Sequence, residues 1–222
     1  ISLSPLVYTI TFDISDANGK LPEATIDVDN QMLTTDENGQ ASIVVPAGNY
    51  PYTVKKDCYI AISNTAFVSD KDLIIPETLQ QKPYNVTFNV LDGEEPLENA
   101  VISVNNQTLT TDAFGLANIE LTNGTYLWRA NANGYNKASD NVEIACADKE
   151  VTISLSPLVY TITFDISDMN GKLPDALIEV DNQTLTTDEN GQASIVVPAG
   201  EYPYTVKKDC YIAISNTAFV SD

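Results

Sequence analysis

Three cysteines, Cys58, Cys146 and Cys210, and no histidine set the first limits on the chemistry of this chain. Without an imidazole, a cysteine nucleophile lacks its usual base and a zinc site lacks its commonest ligand. What three thiols can still do is pair, and an odd number leaves one of them to a partner outside the chain. The other reactive stock is the 31 Asp and Glu side chains. Paired carboxylates run glycoside hydrolysis, but at this density pairs arise by chance, and along repeats a catalytic apparatus would have to be tripled. The chain reads as non-enzymatic, with no catalytic residue.

Two loops, Asp36-Glu37-Asn38-Gly39 and Asp188-Glu189-Asn190-Gly191, put hard oxygen ligands beside a flexible glycine, as calcium sites do. The competing reading is a turn in which the Asp bonds its own backbone and the Gly takes the left-handed conformation. Between them in the chain, Asp112-Ala113-Phe114-Gly115 keeps the Asp and the Gly and drops the extra ligands, so the turn is the expectation and calcium the one cofactor left open. The aromatic pairs Tyr50/Tyr52, Tyr126/Trp128 and Tyr202/Tyr204 could stack on sugars. Strand alternation puts the members of each pair on one face, which is more simply core; Trp128 is the residue that would mark a ligand surface for a glycan or a host protein.

These groups sit in a chain of 222 residues, 43% apolar, with a net charge of −20. Such acidity argues against nucleic acid and anionic membrane as partners, because both are met by basic patches. No run approaches the ~18 to 20 apolar residues of a spanning helix, so no membrane insertion is expected within this segment. The first residues lack the charged start and apolar run of a signal peptide, and the chain is expected to be a mature or excised piece.

Self-comparison organises the rest. Residues 1–70 recur as 153–222 with six differences, at positions 17, 23, 25, 27, 32 and 49 of the first copy. Half that shift finds a weaker middle copy: Tyr8 falls on Tyr84, Phe12 on Phe88, Thr35-Asp36 on Thr111-Asp112, and Tyr59 on Tyr135. The order is A, B, A, a pair of unlike units of about 76 residues duplicated as a pair. Net charge is −6 over residues 1–76, −7 over 77–152 and −7 over 153–222, so acidity belongs to every copy. That pattern suits a self-repelling, soluble surface.

Within a copy the apolar period is two: Tyr8, Ile10, Phe12 and Ile14 alternate with Thr9, Thr11 and Asp13, and Ala41, Ile43 and Val45 do the same. Turn residues separate the runs, and no helical period is present. The expectation is all-β: three tandem seven-stranded antiparallel β-sandwiches in an extended array, at 1–79, 80–155 and 156–222. Strands are expected near 8–14, 24–28, 31–34, 41–45, 50–55, 59–67 and 73–79. Residues 1–4 would be the end strand of a preceding repeat, and the third copy would lack its last strand. The open edge this leaves is a template for strand addition, filled for instance by Ile1 to Leu3 of a neighbouring molecule.

The pattern Gly19-x-x-Pro22-x-Ala24-x-Ile26-x-Val28, then Thr35-Asp36-x-x-Gly39-x-Ala41-x-Ile43, then Gly48-x-Tyr50-x-Tyr52 and a closing Tyr59 resembles tandem bacterial immunoglobulin-like modules of the prealbumin-like type. Carboxypeptidase regulatory-like domains and the B-type repeats of collagen-adhesin stalks belong to that group. The resemblance covers all three copies through turn and core residues. It implies an extracellular, cell-surface stalk whose partners are neighbouring repeats of the same array, with an accessory domain of a secreted enzyme as the rival. The family commonly carries Gly before the final aromatic, as Gly134-Tyr135 does, where the A copies carry Cys58-Tyr59 and Cys210-Tyr211. Stalk repeats with intramolecular isopeptide bonds need a buried lysine on the first strand, whose inward positions here are apolar.

Strand parity then bears on the cysteines. If seven strands alternate in direction, Cys58 lies at the pole where the first copy exits, and Cys146 at the pole where the middle copy receives it. The expectation is a Cys58–Cys146 disulfide, with Cys210 left unpaired by truncation. Three unrelated thiols, equivalent only through duplication, are the alternative, since sequence does not determine connectivity.

Overall fold

The computed structural model describes residues 5–221, and the strand expected at residues 1–4 lies outside them. Packing divides the chain into two compact units, one of residues up to Thr87 with Asn118–Tyr126 and Asn141–Val151, the other of Phe88–Ala117, Leu127–Asp140 and the residues from Thr152.

In the first unit the alternating runs become β1 (Val7–Asp16), β2 (Gly19–Lys20), β3 (Thr25–Val28), β4 (Gln31–Thr34), β5 (Gln40–Pro46), β6 (Gly48–Lys55), β7 (Ile62–Val68) and β8 (Leu73–Thr78). They form two sheets, one ordered β2-β1-β5 with β8 also on β1, the other β4-β3-β6-β7. Alternation turns Ile10, Phe12 and Ile14 of β1 and Ile43 and Val45 of β5 inward, against Ile26, Val28, Tyr52 and Val54 of the other sheet. Phe12 and Tyr52 meet edge to face, ring centroids 5.0 Å apart. A fully buried side chain of this kind contributes roughly 1.5–3 kcal/mol.

Three expectations are corrected. The sandwich is not wholly antiparallel: β8 runs parallel to β1, with Ile10 opposite Leu73 and Ser15 opposite Thr78. Direction still alternates from β3 to β8; β7 ends in one sheet and the chain crosses at residues 69–72 to the free edge of β1 in the other, so β8, with the same direction as β1, pairs with it in parallel. The first copy has eight strands where seven were expected, since Gly19–Lys20 folds back on Ser15 and Asp16. The sixth expected strand begins at Ile62 and not at Tyr59, because Cys58 has φ 68° and the Tyr59 N–H donates to the Lys56 carbonyl, which makes a turn there.

One glycine is dictated by packing. Gly39 has φ +71°, and a Cβ there would overlap the Ile14 carbonyl oxygen, against which the β4–β5 turn is seated. That turn is held by the Ile14 N–H donating to the Gly39 carbonyl at 2.8 Å.

The same plan recurs downstream. The middle copy pairs Tyr84–Asp92 with Leu116–Leu121 and Lys149–Ser154 in one sheet, and Val101–Val104 with Gln107–Thr110 and Gly124–Asn131 in another, which ends on Ala138–Ile144. In the third copy Val159–Asp165 pairs with Gln192–Pro198, Ile162 opposite Ile195. Its second sheet orders Gln183–Thr186, Leu177–Val180, Gly200–Lys207 and Ile214–Val220. Phe164, Ile178, Val180, Ile195 and Val197 are its buried cluster.

Candidate functional site: the cysteine crosslink

Cys58 sits in the turn between β6 and β7, and the chain that leaves β8 returns to this turn. The Ile60 N–H donates to the Gln80 carbonyl at 2.9 Å and the Lys82 N–H to the Cys58 carbonyl at 2.7 Å, with Tyr59 bridging Gln81. Beneath it the Tyr59 hydroxyl donates to Asp16 Oδ2 at 2.7 Å. Cys146 occupies the turn between Ala138–Ile144 and Lys149–Ser154, with Asn123 Oδ1 3.8 Å from its sulfur. The two cysteines form a disulfide with Cα atoms 4.9 Å apart, inside the usual span, across a sequence separation of 88. Cys210 is free and exposed.

All three cysteines hold a left-handed backbone, φ 68°, 59° and 67° for Cys58, Cys146 and Cys210. For L-residues that conformation costs roughly 1–2 kcal/mol. At the position equivalent to Cys58 the middle copy has Gly134, φ 76°, which adopts it freely. The A copies therefore carry a thiol where the backbone favours glycine. Chemically the arrangement is a covalent tie; it holds no base that would make either sulfur a nucleophile.

The remaining sequence-derived residues divide clearly. Asp36 Oδ1 accepts from the Asn38 and Gln40 N–H groups, both at 2.9 Å, so its carboxylate is committed to its own turn. Asp112 and Asp188 repeat this at Phe114 and Leu116 and at Asn190 and Gln192. Hydrogen bonds from those N–H groups, the Gln40 one foremost for Asp36, hold the Asp36 and Asp188 carboxyls below their ordinary value. Among the described residues no group of three or more His, Cys, Asp or Glu side chains is placed to hold a metal ion. Trp128 as a ligand surface is corrected: it is 7% exposed, with its ring edge-on to Phe88 at 6.4 Å, because strand alternation turns it inward with the core.

Two groups were passed over as mere repeat matches. Thr35 is buried, its hydroxyl accepting from the Ala24 N–H at 2.9 Å and donating to the Leu21 carbonyl at 2.8 Å; Thr111 and Thr187 do the same in their copies. The Tyr59–Asp16 bond recurs as Tyr135–Asp92 and Tyr211–Asp168, each at 2.8 Å. Persistence of a polar residue at the same register in all three copies was the available signal.

The chain matches no family model, and no curated protein matches it. Among solved structures it is similar to the TIE protein of Bacillus anthracis, at 18% identity and a TM-score of 0.67, over 97% of this chain and 48% of that one. The chain thus spans about half the length of that structure, and the likeness is one of fold. Further similarities are to the major pilin subunit of Bacillus cereus, 11% identical with a TM-score of 0.41 over 98% and 96% of the two chains, and to the minor pilin of Streptococcus agalactiae, 15% identical with a TM-score of 0.33 over 68% and 96%.

Proposed function

We propose that the chain is a non-catalytic structural segment of a secreted or cell-surface microbial protein, built from prealbumin-like sandwiches at 1–79, 80–155 and 156–222 that act as a spacer. The observation that carries this reading is the crosslink. Its two cysteines come from the first and middle copies of a duplicated pair, and both occupy backbone that favours glycine. A disulfide of this kind persists in an oxidising, extracellular setting. The hydroxyls and carboxylates that recur in all copies are engaged in holding turns, which supports a structural role over a catalytic one.

The test has two arms. Peptide mapping without reduction, after alkylation of free thiols, should return one crosslinked peptide joining Cys58 to Cys146, with Cys210 alkylated; three alkylated cysteines would remove the tie. The intact chain, arrayed against glycans and extracellular matrix proteins, should bind none saturably. Saturable binding to any of them would replace the spacer with a recognition module.

A further inference from the structure

Six of the ten glycines follow an asparagine: the pairs begin at Asn18, Asn38, Asn123, Asn133, Asn170 and Asn190. An Asn-Gly pair can react with itself. The Gly nitrogen, on losing its proton to solvent, bonds to the Asn side-chain carbonyl carbon, and the amide nitrogen leaves as ammonia. Water then opens the cyclic imide, at one carbonyl to give aspartate and at the other to give isoaspartate, whose main chain runs through the former side chain. The only co-reactant is water, so the fold decides which pair reacts. The Gly N–H must be unbonded and the Asn side chain free to turn. A carboxylate close by opposes the reaction, because it disfavours the negative charge that develops on the nitrogen.

Four of the six pairs close an Asp-x-Asn-Gly run, with Asp16, Asp36, Asp168 and Asp188 two residues ahead of the Asn. These carboxylates accept from the backbone N–H groups of Asn18 and Asn170 at 2.7 Å and of Asn38 and Asn190 at 2.9 Å. They also hold the side-chain amides of the same asparagines. The glycines are engaged as well. The Gly39 and Gly191 N–H groups donate to the Asp36 and Asp188 carbonyls at 2.9 Å, the Gly171 N–H to Asp168 Oδ1 at 3.1 Å, and the Gly19 N–H to the Asp16 carboxylate. In the fifth pair Gly124 opens the strand Gly124–Asn131, which is fixed in its sheet beside Ala138–Ile144.

Asn133-Gly134 differs on every count. The residue two places ahead is Asn131, which is neutral. Asn133 is exposed, and among the described residues neither its side chain nor the Gly134 N–H has a hydrogen-bond partner. The pair forms the middle of a turn closed by the Tyr135 N–H on the Ala132 carbonyl at 3.2 Å.

That turn holds the chain that follows the middle copy's last strand. The Gly134 carbonyl accepts from the Leu158 N–H at 2.7 Å, and the Asn136 N–H donates to the Ser156 carbonyl at 2.9 Å. The equivalent turn of the first copy holds Gln80 and Lys82 in the same way, but with Asp57-Cys58 at its middle it has no amide to lose, and its cysteine is tied to Cys146.

We propose that Asn133 is a site of spontaneous deamidation, converted ahead of the other five, and that its isoaspartate product releases residues 156–158. Isoaspartate lengthens the backbone by one methylene at the centre of the turn, so the Gly134 carbonyl and the Asn136 N–H no longer meet their partners together. The inference goes beyond the spacer reading and does not depend on it.

The test uses the full chain with its disulfide intact, held in mildly alkaline water enriched in oxygen-18 and mapped by peptide mass spectrometry over time. The heavy oxygen marks each conversion that occurs during the incubation. Asn133 should convert at least about tenfold faster than Asn18, Asn38, Asn170 and Asn190, each of which must first break a hydrogen bond of its glycine. In urea the six pairs should react at similar rates, which assigns the contrast to the fold. Ion exchange separates the isoaspartate form by its added charge. In that form the Asn136 and Leu158 amides should exchange hydrogen faster than in fresh chain, while Asn133→Asp, with the same charge on an ordinary backbone, should match fresh chain. Equal rates at the six pairs in the folded chain, or any other pair converting first, would overturn the assignment of the site. Unchanged exchange at both amides in the isoaspartate form would overturn the release of residues 156–158.

Discussion

Thr35 closes two loops with one hydroxyl, accepting a hydrogen bond from the Ala24 N–H and donating one to the Leu21 carbonyl, inside a site 3% exposed. Valine has the same shape and neither bond. Thr35→Val therefore keeps the packing and strands two buried backbone groups, each worth roughly 1–3 kcal/mol. The expected loss is about 2–6 kcal/mol of local stability, read as faster hydrogen exchange over residues 24–28, whereas Thr35→Ser, which keeps the hydroxyl, should lose about 1 kcal/mol. Equal effects of the two substitutions would mean that the methyl, and not the hydroxyl, carries the role. The sequence carries the recurrence of this Thr in all three copies but not its role: a Thr beside Asp36 looks like turn chemistry, and burial of its hydroxyl depends on Leu21 and Ala24, which reach it only when the sandwich closes.

At the scale of elements, the Tyr59–Asp16 bond pins the β6–β7 turn to the end of β1. The Tyr59 hydroxyl is the first cause that holds the Asp16 carboxyl below its ordinary value, with Asn18 adding to it against burial. Burial is the first cause that raises the Tyr59 phenol, and Asp16 raises it further while Gln81 opposes. A carboxyl lowered by folding stabilises above its unfolded value, about 3.9, and the stabilisation is lost as pH falls through the folded value. A raised phenol stabilises below its unfolded value, about 10, and the gain is lost as pH rises through the folded one. The tie thus works fully between about pH 4 and pH 10. Tyr59→Phe should destabilise by a constant amount across that window and by less on either side, as urea unfolding at several pH values would show. An undiminished penalty at pH 3 would detach the bond from stability.

The elements themselves were legible where period two and turn chemistry agreed: Gln31–Thr34 is as expected, and β1, β3, β5, β6 and β8 differ from expectation only at their ends. The parallel pairing of β8 was not, since local pattern carries no record of which sheet a strand joins. The false strand start at Tyr59 has a similar origin. The apolar run Tyr59-Ile60-Ala61-Ile62 after Cys58 looks extended, and only the left-handed Cys58 shows the turn. The crosslink expectation came from parity, that is, from which pole each turn occupies, and the parallel pairing of β8 with β1 is the direction that parity gives a seventh strand.

For the whole molecule, duplication implies equal stability of the first and third copies, and their differing cores imply the opposite. The six differences between them leave every core residue in place. The first copy buries Ile10, Phe12, Ile14, Tyr52, Val54 and Leu79 together, while in the third only Phe164 among the counterparts of the first five is buried, at 6% exposed. Partial exposure of several such side chains, each worth roughly 1.5–3 kcal/mol when buried, lowers local stability. Sub-global opening is then expected to be ordered, the third copy before the first. Hydrogen exchange followed by proteolysis and mass spectrometry distinguishes the copies at their six differing positions, and amides of residues 162–166 should exchange at least tenfold faster than those of residues 10–14. Equal rates would mean that the partial exposure of Ile162, Ile166 and Val206 does not set the local stability of the third copy.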